Sequence, residues 1–286
     1  MFEPLEAEIV FSHFVQNFSN ASLDSFFLVI TQLGNPALWI VLSAFLYWKG
    51  DEKKSFFITS VILFSSALVG ILKPAIGRLR PSSEEFRVLV QESFSFYALP
   101  SGHATTIAGI FGFYWEKFKK NARVIGLLVV FLVLLSRIYL GAHYLGDVLI
   151  GGLFGFLIGR LVHYLEQRYV KLKFNQKKIL KEIGLITVIV LAIIVALLFR
   201  SFELSSGLLG YFAGVFAFKL MNMDSRRLTG KPLWVKEIFG FAGLGIIGFF
   251  AFTLNLIAEL LFVGGLWITL IFPILYERVL NKSKLK

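Results

Sequence analysis

Three short segments carry side chains that can act together on an anion. The first is Lys73-Pro-Ala-Ile-Gly-Arg-Leu-Arg80-Pro81, the second is Pro100-Ser101-Gly102-His103, and the third is Ser136-Arg137-Ile-Tyr-Leu-Gly-Ala-His143-Tyr-Leu-Gly-Asp147. Lys73, Arg80 and Arg137 suit a phosphate dianion, since Arg offers a planar fork of donors and Lys a point charge. Ser101-Gly102 is expected to open a helix, where backbone N–H groups add anion-binding donors aligned with the helix dipole. His143 and Asp147 are four residues apart. If a helix begins near Ala142 they share a face, and the carboxylate can accept a hydrogen bond from the imidazole. That pairing fixes the tautomer and makes the other ring nitrogen a better nucleophile. His103 starts a different helix and can approach from another direction, as general acid for a leaving alcohol.

The elements that must position these groups are membrane helices. The chain has 286 residues, 57% of them hydrophobic and only 16% charged, with 32 Phe and a mean hydropathy of +0.75. A soluble domain of this size needs more polar surface, so the expected class is an all-α polytopic membrane bundle. The net charge of +11 sits in short stretches between apolar runs, which points to topology rather than to nucleic acid. With no cysteine, disulfides are excluded. The first 20 residues have neither a basic start nor an apolar h-region, so no cleavable signal peptide is read.

Runs long enough to span a bilayer predict about nine transmembrane helices, near 23–48, 55–72, 102–117, 122–140, 145–165, 182–200, 206–221, 237–255 and 257–277. With nine spans, only Lys73, Arg78, Arg80, Arg87, Arg137 and Arg200 of the 29 Lys and Arg fall on one side. The positive-inside rule then puts the N-terminus outside and the C-terminus in the cytoplasm. Four regions are expected: an interfacial amphipathic segment 1–22, a membrane core 23–165, a basic cytoplasmic linker 166–181 and a four-helix membrane extension 182–286. All three segments of interest then lie on the same, cation-poor face.

Other polar residues receive plainer readings. His13 and His163 read as surface or capping residues, and Arg78, Arg87 and Arg200 as span-end cations that snorkel to headgroups. Trp48 and Trp115 read as interfacial aromatics. Thr31, Gln32 and Asn35 either line a substrate path or hydrogen-bond between helices, while Gly207, Gly210 and Gly214 read as a helix-packing stripe. Lys219 and Glu259 receive no role.

At the three segments the sequence resembles the type 2 phosphatidic acid phosphatase superfamily. The family signature is Lys-x6-Arg-Pro, then Pro-Ser-Gly-His, then Ser-Arg-x5-His-x3-Asp, and every fixed position is met. The resemblance covers roughly residues 55–165. It implies a helical bundle with its site at one membrane face, and a metal-independent, cofactor-free mechanism in which His143 attacks phosphorus to give a phosphohistidine. His103 would protonate the leaving oxygen, and Lys73, Arg80, Ser101, Gly102 and Arg137 would cradle the phosphoryl oxygens. The expected substrate is a membrane lipid phosphate or pyrophosphate, at the extracytoplasmic face of the cell membrane. A water-soluble sugar phosphate is the alternative substrate, suggested by a nine-span layout like that of glucose-6-phosphatase. A transporter or flippase on the same core is a third reading, weakened by the absence of paired broken helices.

Overall fold

A computed structural model describes residues 2–91, 96–171, 202–221 and 233–277, and among these every regular element is helical. Helix α1 (Glu6–Gln16) opens with the Glu8 carboxylate accepting a hydrogen bond from Leu5 N at 2.8 Å, which satisfies one of the N–H groups that a helix start leaves over. Helix α2 (Ala21–Ile30) is capped by Asn20, whose side chain accepts from Leu23 N. The expected span 23–48 is not one rod. A tight 3₁₀ turn, Thr31–Gly34, follows α2, and α3 (Pro36–Trp48) sets off at 54° to it. Pro36 disfavours helical geometry at Asn35, which is extended and caps α3 by accepting from Ala37 N. Gln32 pairs with Asn35 at the same bend.

Helix α4 (Glu52–Ile76) is longer at both ends than the apolar run suggests, and Gly77 terminates it at φ +68°. Helix α5 (Gly102–Tyr114) is short and almost wholly buried. Helices α6 (Lys120–Tyr139) and α7 (Leu145–Lys171) follow, with α7 continuing past the expected end at 165. Then come α8 (Phe202–Leu220), α9 (Leu233–Thr253) and α10 (Ile257–Leu266), the last running through a π-helical turn at Trp267–Ile271 into α11 (Phe272–Leu275). Among the described residues five helices are long and apolar enough to cross a membrane, or six if the bent pair counts as one. The protein is an all-helical membrane bundle. The expected span 182–200 and Arg200 lie outside the described residues.

Two compact units are present, one of residues 1–39 with 60–170 and one of 40–59 with 171–286. In the first, α5 meets α7 backbone to backbone. A Cβ at Gly155 or Gly159 would collide with the carbonyl of Thr105 or Gly109, and one at Gly112 would lie 2.5 Å from Phe156 O. Gly151, Gly155 and Gly159 are four apart and so form one stripe of α7, the small-residue seam that lets membrane helices approach closely. His163 is buried, a correction to the surface reading, because its Nε2 pairs with Glu116 at 2.9 Å.

In the second unit, the Gly207–Gly214 stripe does pack helices: a Cβ at Gly210 or Gly214 would strike Phe262 O or Thr269 Oγ1. Trp48 is buried rather than interfacial, and its indole N–H donates to Ile268 O at 2.8 Å. That carbonyl belongs to the π-helical turn, where the usual hydrogen-bond ladder is shifted. Hydroxyls of Ser43, Ser55, Thr59 and Tyr211 bond one another in the apolar interior, and Lys219 is paired with Glu52.

The two kinds of glycine should separate on substitution. Gly155→Ala overpacks the α5–α7 seam and should cost about 1–3 kcal/mol. Gly245→Ala meets nothing within 4 Å and should be neutral or stabilising by up to about 1 kcal/mol. Thermal unfolding of the detergent-solubilised variants measures both.

Candidate active site

The site lies in the first unit, where five chain segments deliver its side chains. α6 ends at Gly141, whose φ of +72° reverses the chain. Ala142 N and His143 N both donate back to Arg137 O, at 3.0 and 3.2 Å. A Cβ at Gly141 would lie 2.5 Å from Arg87 O, so both the angle and the space require glycine. This turn places His143 just before α7, completely buried.

The two ring nitrogens of His143 face different partners. Nδ1 lies 3.4 Å from Asp147 Oδ2, an ion-pair distance rather than an aligned hydrogen bond. The same Asp147 oxygen accepts from Tyr144 N at 2.8 Å, which fixes the carboxylate at the start of α7. Nε2 lies 3.3 Å from Arg80 Nη1, and that nitrogen also donates to Ala142 O at 3.0 Å. The sequence-based pairing of His143 with Asp147 is therefore present as proximity, looser than a formed hydrogen bond, as is common before a substrate arrives.

Other motif residues converge on the same imidazole. Burial, followed by the charges of Arg80, Lys73, Arg137 and His103, holds His143 well below its ordinary pKa. The ring is thus neutral. Arg137 is buried and donates to Thr31 Oγ1 at 2.7 Å, which gives Thr31 an orienting task. Ser101 N donates to Asp147 O at 3.0 Å, tying the start of α5 to the first turn of α7. Gly102 is the first residue of α5, and Gly34 approaches His103 so closely that a Cβ there would lie 2.9 Å from its backbone oxygen. Ser136 turns its hydroxyl back to Val133 O, away from any chemistry.

Two neighbours of this set were misread or missed in the sequence. Arg78 is a correction: it is buried, not a snorkelling cation, with Nη1 3.1 Å from Asp147 Oδ1 and Nη2 2.5 Å from Glu8 Oε2. Its guanidinium lies over the Tyr144 ring, 5.1 Å from the centroid. Arg87 is likewise no headgroup contact, since it forms a two-point pair with Asp24. Glu8, on a helix expected to lie at the membrane surface, is the second missed residue. One signal was available, because an acidic residue amid Leu5, Ile9 and Val10 needs a buried partner or water.

Residues 55–171 match the PAP2 superfamily, the family of type 2 phosphatidic acid phosphatases. The chain carries a PAP2 superfamily domain. The chain is 30% identical over 156 residues to a lipid A 4′-phosphatase of Porphyromonas gingivalis, covering 49% of this chain and 65% of that protein. It is 36% identical over 118 residues to phosphatidylglycerophosphatase B of Bacillus subtilis, covering 37% of this chain and 54% of the relative. The chain thus spans less than two thirds of the length of these curated relatives. A crystal structure of a transmembrane PAP2 type phosphatidylglycerolphosphate phosphatase from Bacillus subtilis superposes with a TM-score of 0.50 at 26% identity, over 59% of this chain and 87% of the other.

The buried neutral His143 makes a measurable demand on stability. Its pKa in the folded PAP2 domain lies below the unfolded value of about 6.5. Its contribution is therefore fully present above about pH 6.5 and is lost as pH falls below that value, where the unfolded chain binds the proton more readily. Between about pH 7 and about pH 5, the melting temperature should fall less steeply for His143→Gln than for the unsubstituted protein.

Proposed function

We propose that the protein is a phosphatase that hydrolyses a membrane lipid phosphate or pyrophosphate through a phosphohistidine on His143. The observation that carries this reading is the division of labour around one imidazole. Asp147 faces Nδ1 and a cation faces Nε2. With the Nδ1–H held toward the carboxylate, the Nε2 lone pair points to where Arg80 would hold a phosphoryl group.

The chemistry follows in two balanced steps. His143 Nε2 forms a bond to phosphorus while the P–O bond to the leaving group breaks, and His103 gives its proton to the departing oxygen. Water then attacks the phosphohistidine, His103 takes a proton from it, and the P–N bond breaks to release inorganic phosphate. Lys73, Arg80, Arg137, the Ser101 hydroxyl and the backbone N–H of Gly102 stabilise the charge spread over the equatorial oxygens. Arg80 Nη1 lies 3.3 Å from Nε2, so in this reading its guanidinium turns onto a phosphoryl oxygen as the nucleophile attacks. Asp147 stabilises the imidazolium that develops on attack, as an orienting carboxylate does in other histidine sites.

Substrate class and layout belong to the same proposal. The matched relatives are a lipid A 4′-phosphatase and a phosphatidylglycerophosphatase, and the motif residues sit at helix ends of an apolar bundle, where a lipid headgroup arrives laterally. The charge pattern supports nine spans, with the site on the extracytoplasmic face, residues 23–165 as the phosphatase core behind segment 1–22, and residues 182–286 as an extension after the basic stretch 166–181.

Purified protein in detergent should release phosphate from such lipids with EDTA present, and His143→Ala should lose about a thousandfold or more of kcat. Full activity in that variant would remove the mechanism, and faster turnover of a soluble sugar phosphate would remove the lipid assignment. Topology is open to direct labelling because the chain has no cysteine. In intact cells, Glu84→Cys should react with a membrane-impermeant maleimide and Lys119→Cys should not.

A further inference from the structure

Helix α1 carries its polarity the wrong way round for water. Leu5, Val10, Phe14 and Phe18 are exposed, while Glu8 and Ser12 are buried against the protein. Val10 and Phe14, four residues apart, share one outward face of the helix, and exposed Phe18 follows in the turn after it. Only four residues separate α1 from α2, an apolar helix long enough with α3 to cross a bilayer. Such a face is seated in lipid, and the inward carboxylate is then not there for solubility.

The Glu8 carboxylate has three donors. Leu5 N donates to Oε2 at 2.8 Å, Arg78 Nη2 approaches the same oxygen at 2.5 Å, and Gly146 N donates to Oε1 at 2.6 Å. Burial raises the Glu8 pKa, but the bonds from Leu5, Arg78 and Gly146 outweigh it and keep the group below its ordinary value. Two of these donors adjoin the catalytic set. Arg78 is two residues from Arg80 and also reaches Asp147 Oδ1, while Gly146 precedes Asp147 in the first turn of α7. A Cβ at Gly146 would lie 2.5 Å from Glu8 Oε1 and 3.2 Å from Arg78 Nη1, so a larger residue there would displace the ends of these two side chains.

We propose that Glu8 is a positioning residue for the phosphatase site, sharing Arg78 with Asp147 and capping α7 so that the Asp147 carboxylate stays against His143. The inference rests on the reading of His143 as nucleophile. Without the Glu8 charge, Arg78 has Asp147 as its remaining carboxylate. The guanidinium then draws Asp147 away from Nδ1, and the imidazole loses its tautomer and orientation. Lys73, Arg80 and Arg137 are untouched, so the loss falls on turnover rather than on substrate binding.

The test uses the full chain in detergent or lipid nanodiscs with phosphatidic acid as substrate. Glu8→Gln should lower kcat about tenfold or more with KM within about twofold, measured on protein whose folded fraction is known from its melting curve. In the Arg78→Gln background, adding Glu8→Gln should cost little more, because both act through one device. Additive losses, or an unchanged kcat in folded Glu8→Gln, would overturn the proposal. If Glu8→Gln does not fold, Gly146→Ala probes the same contact from the other side and should also lower kcat, with unchanged turnover again the overturning result. An unsubstituted protein that releases no phosphate, or a fully active His143→Ala, defeats the functional reading itself. Loss in His143→Ala with none in Glu8→Gln defeats only the role of Glu8.

Discussion

The rest of the first unit depends on how closely α5 and α7 approach. Helices that meet through large side chains sit 8–10 Å apart. Here, glycines on both sides bring backbone against backbone, and Thr105, Gly109 and Phe156 present carbonyls where side chains would ordinarily stand. In an apolar medium there is no hydrophobic drive between helices, so contact at this range is what fixes one helix on another. The seam ends at the site. Gly151 packs against Ser101 O, and Ser101 N reaches Asp147 O. The register between the start of α5 and the first turn of α7 is thereby set by glycines up to three turns away.

Around that seam the site concentrates charge in a way that needs careful matching. Arg78 and Asp147 are almost wholly out of water and Glu8 nearly so. Taking ions out of water costs several kcal/mol each in practice, offset only where geometry and hydrogen bonds are good. Arg78 achieves this with two carboxylates and the Tyr144 ring. Arg80 and Arg137 instead bond to a carbonyl and a hydroxyl, acceptors with no full charge.

Much of this was readable in the sequence, and the failures have physical causes. The segments ending in Arg80, His103 and Asp147 stood out by residue type and spacing, and the structure brings Arg80 and Asp147 to the two ring nitrogens of His143. Helices such as α6 announced themselves through long apolar runs. Span 23–48 misled because a proline bend at Asn35–Pro36 leaves hydropathy unchanged while turning the chain. Arg78 was read as a lipid-facing cation, since its partner Glu8 lies 70 residues earlier and nothing local signals the pair. His163 and Trp48 were misplaced for the same reason: their partners Glu116 and Ile268 are far along the chain. The side chains misread were those satisfied at long range, whose partners no local pattern names.

The position of Glu8 also bears on the order in which the protein is made. Synthesis delivers α1 first, yet the last of its three donors, Gly146, follows 138 residues later. Contacts that distant are entropically late in folding. The surroundings of Asp147 are therefore complete only when α1 closes onto the first turn of α7, a link across 138 residues of chain.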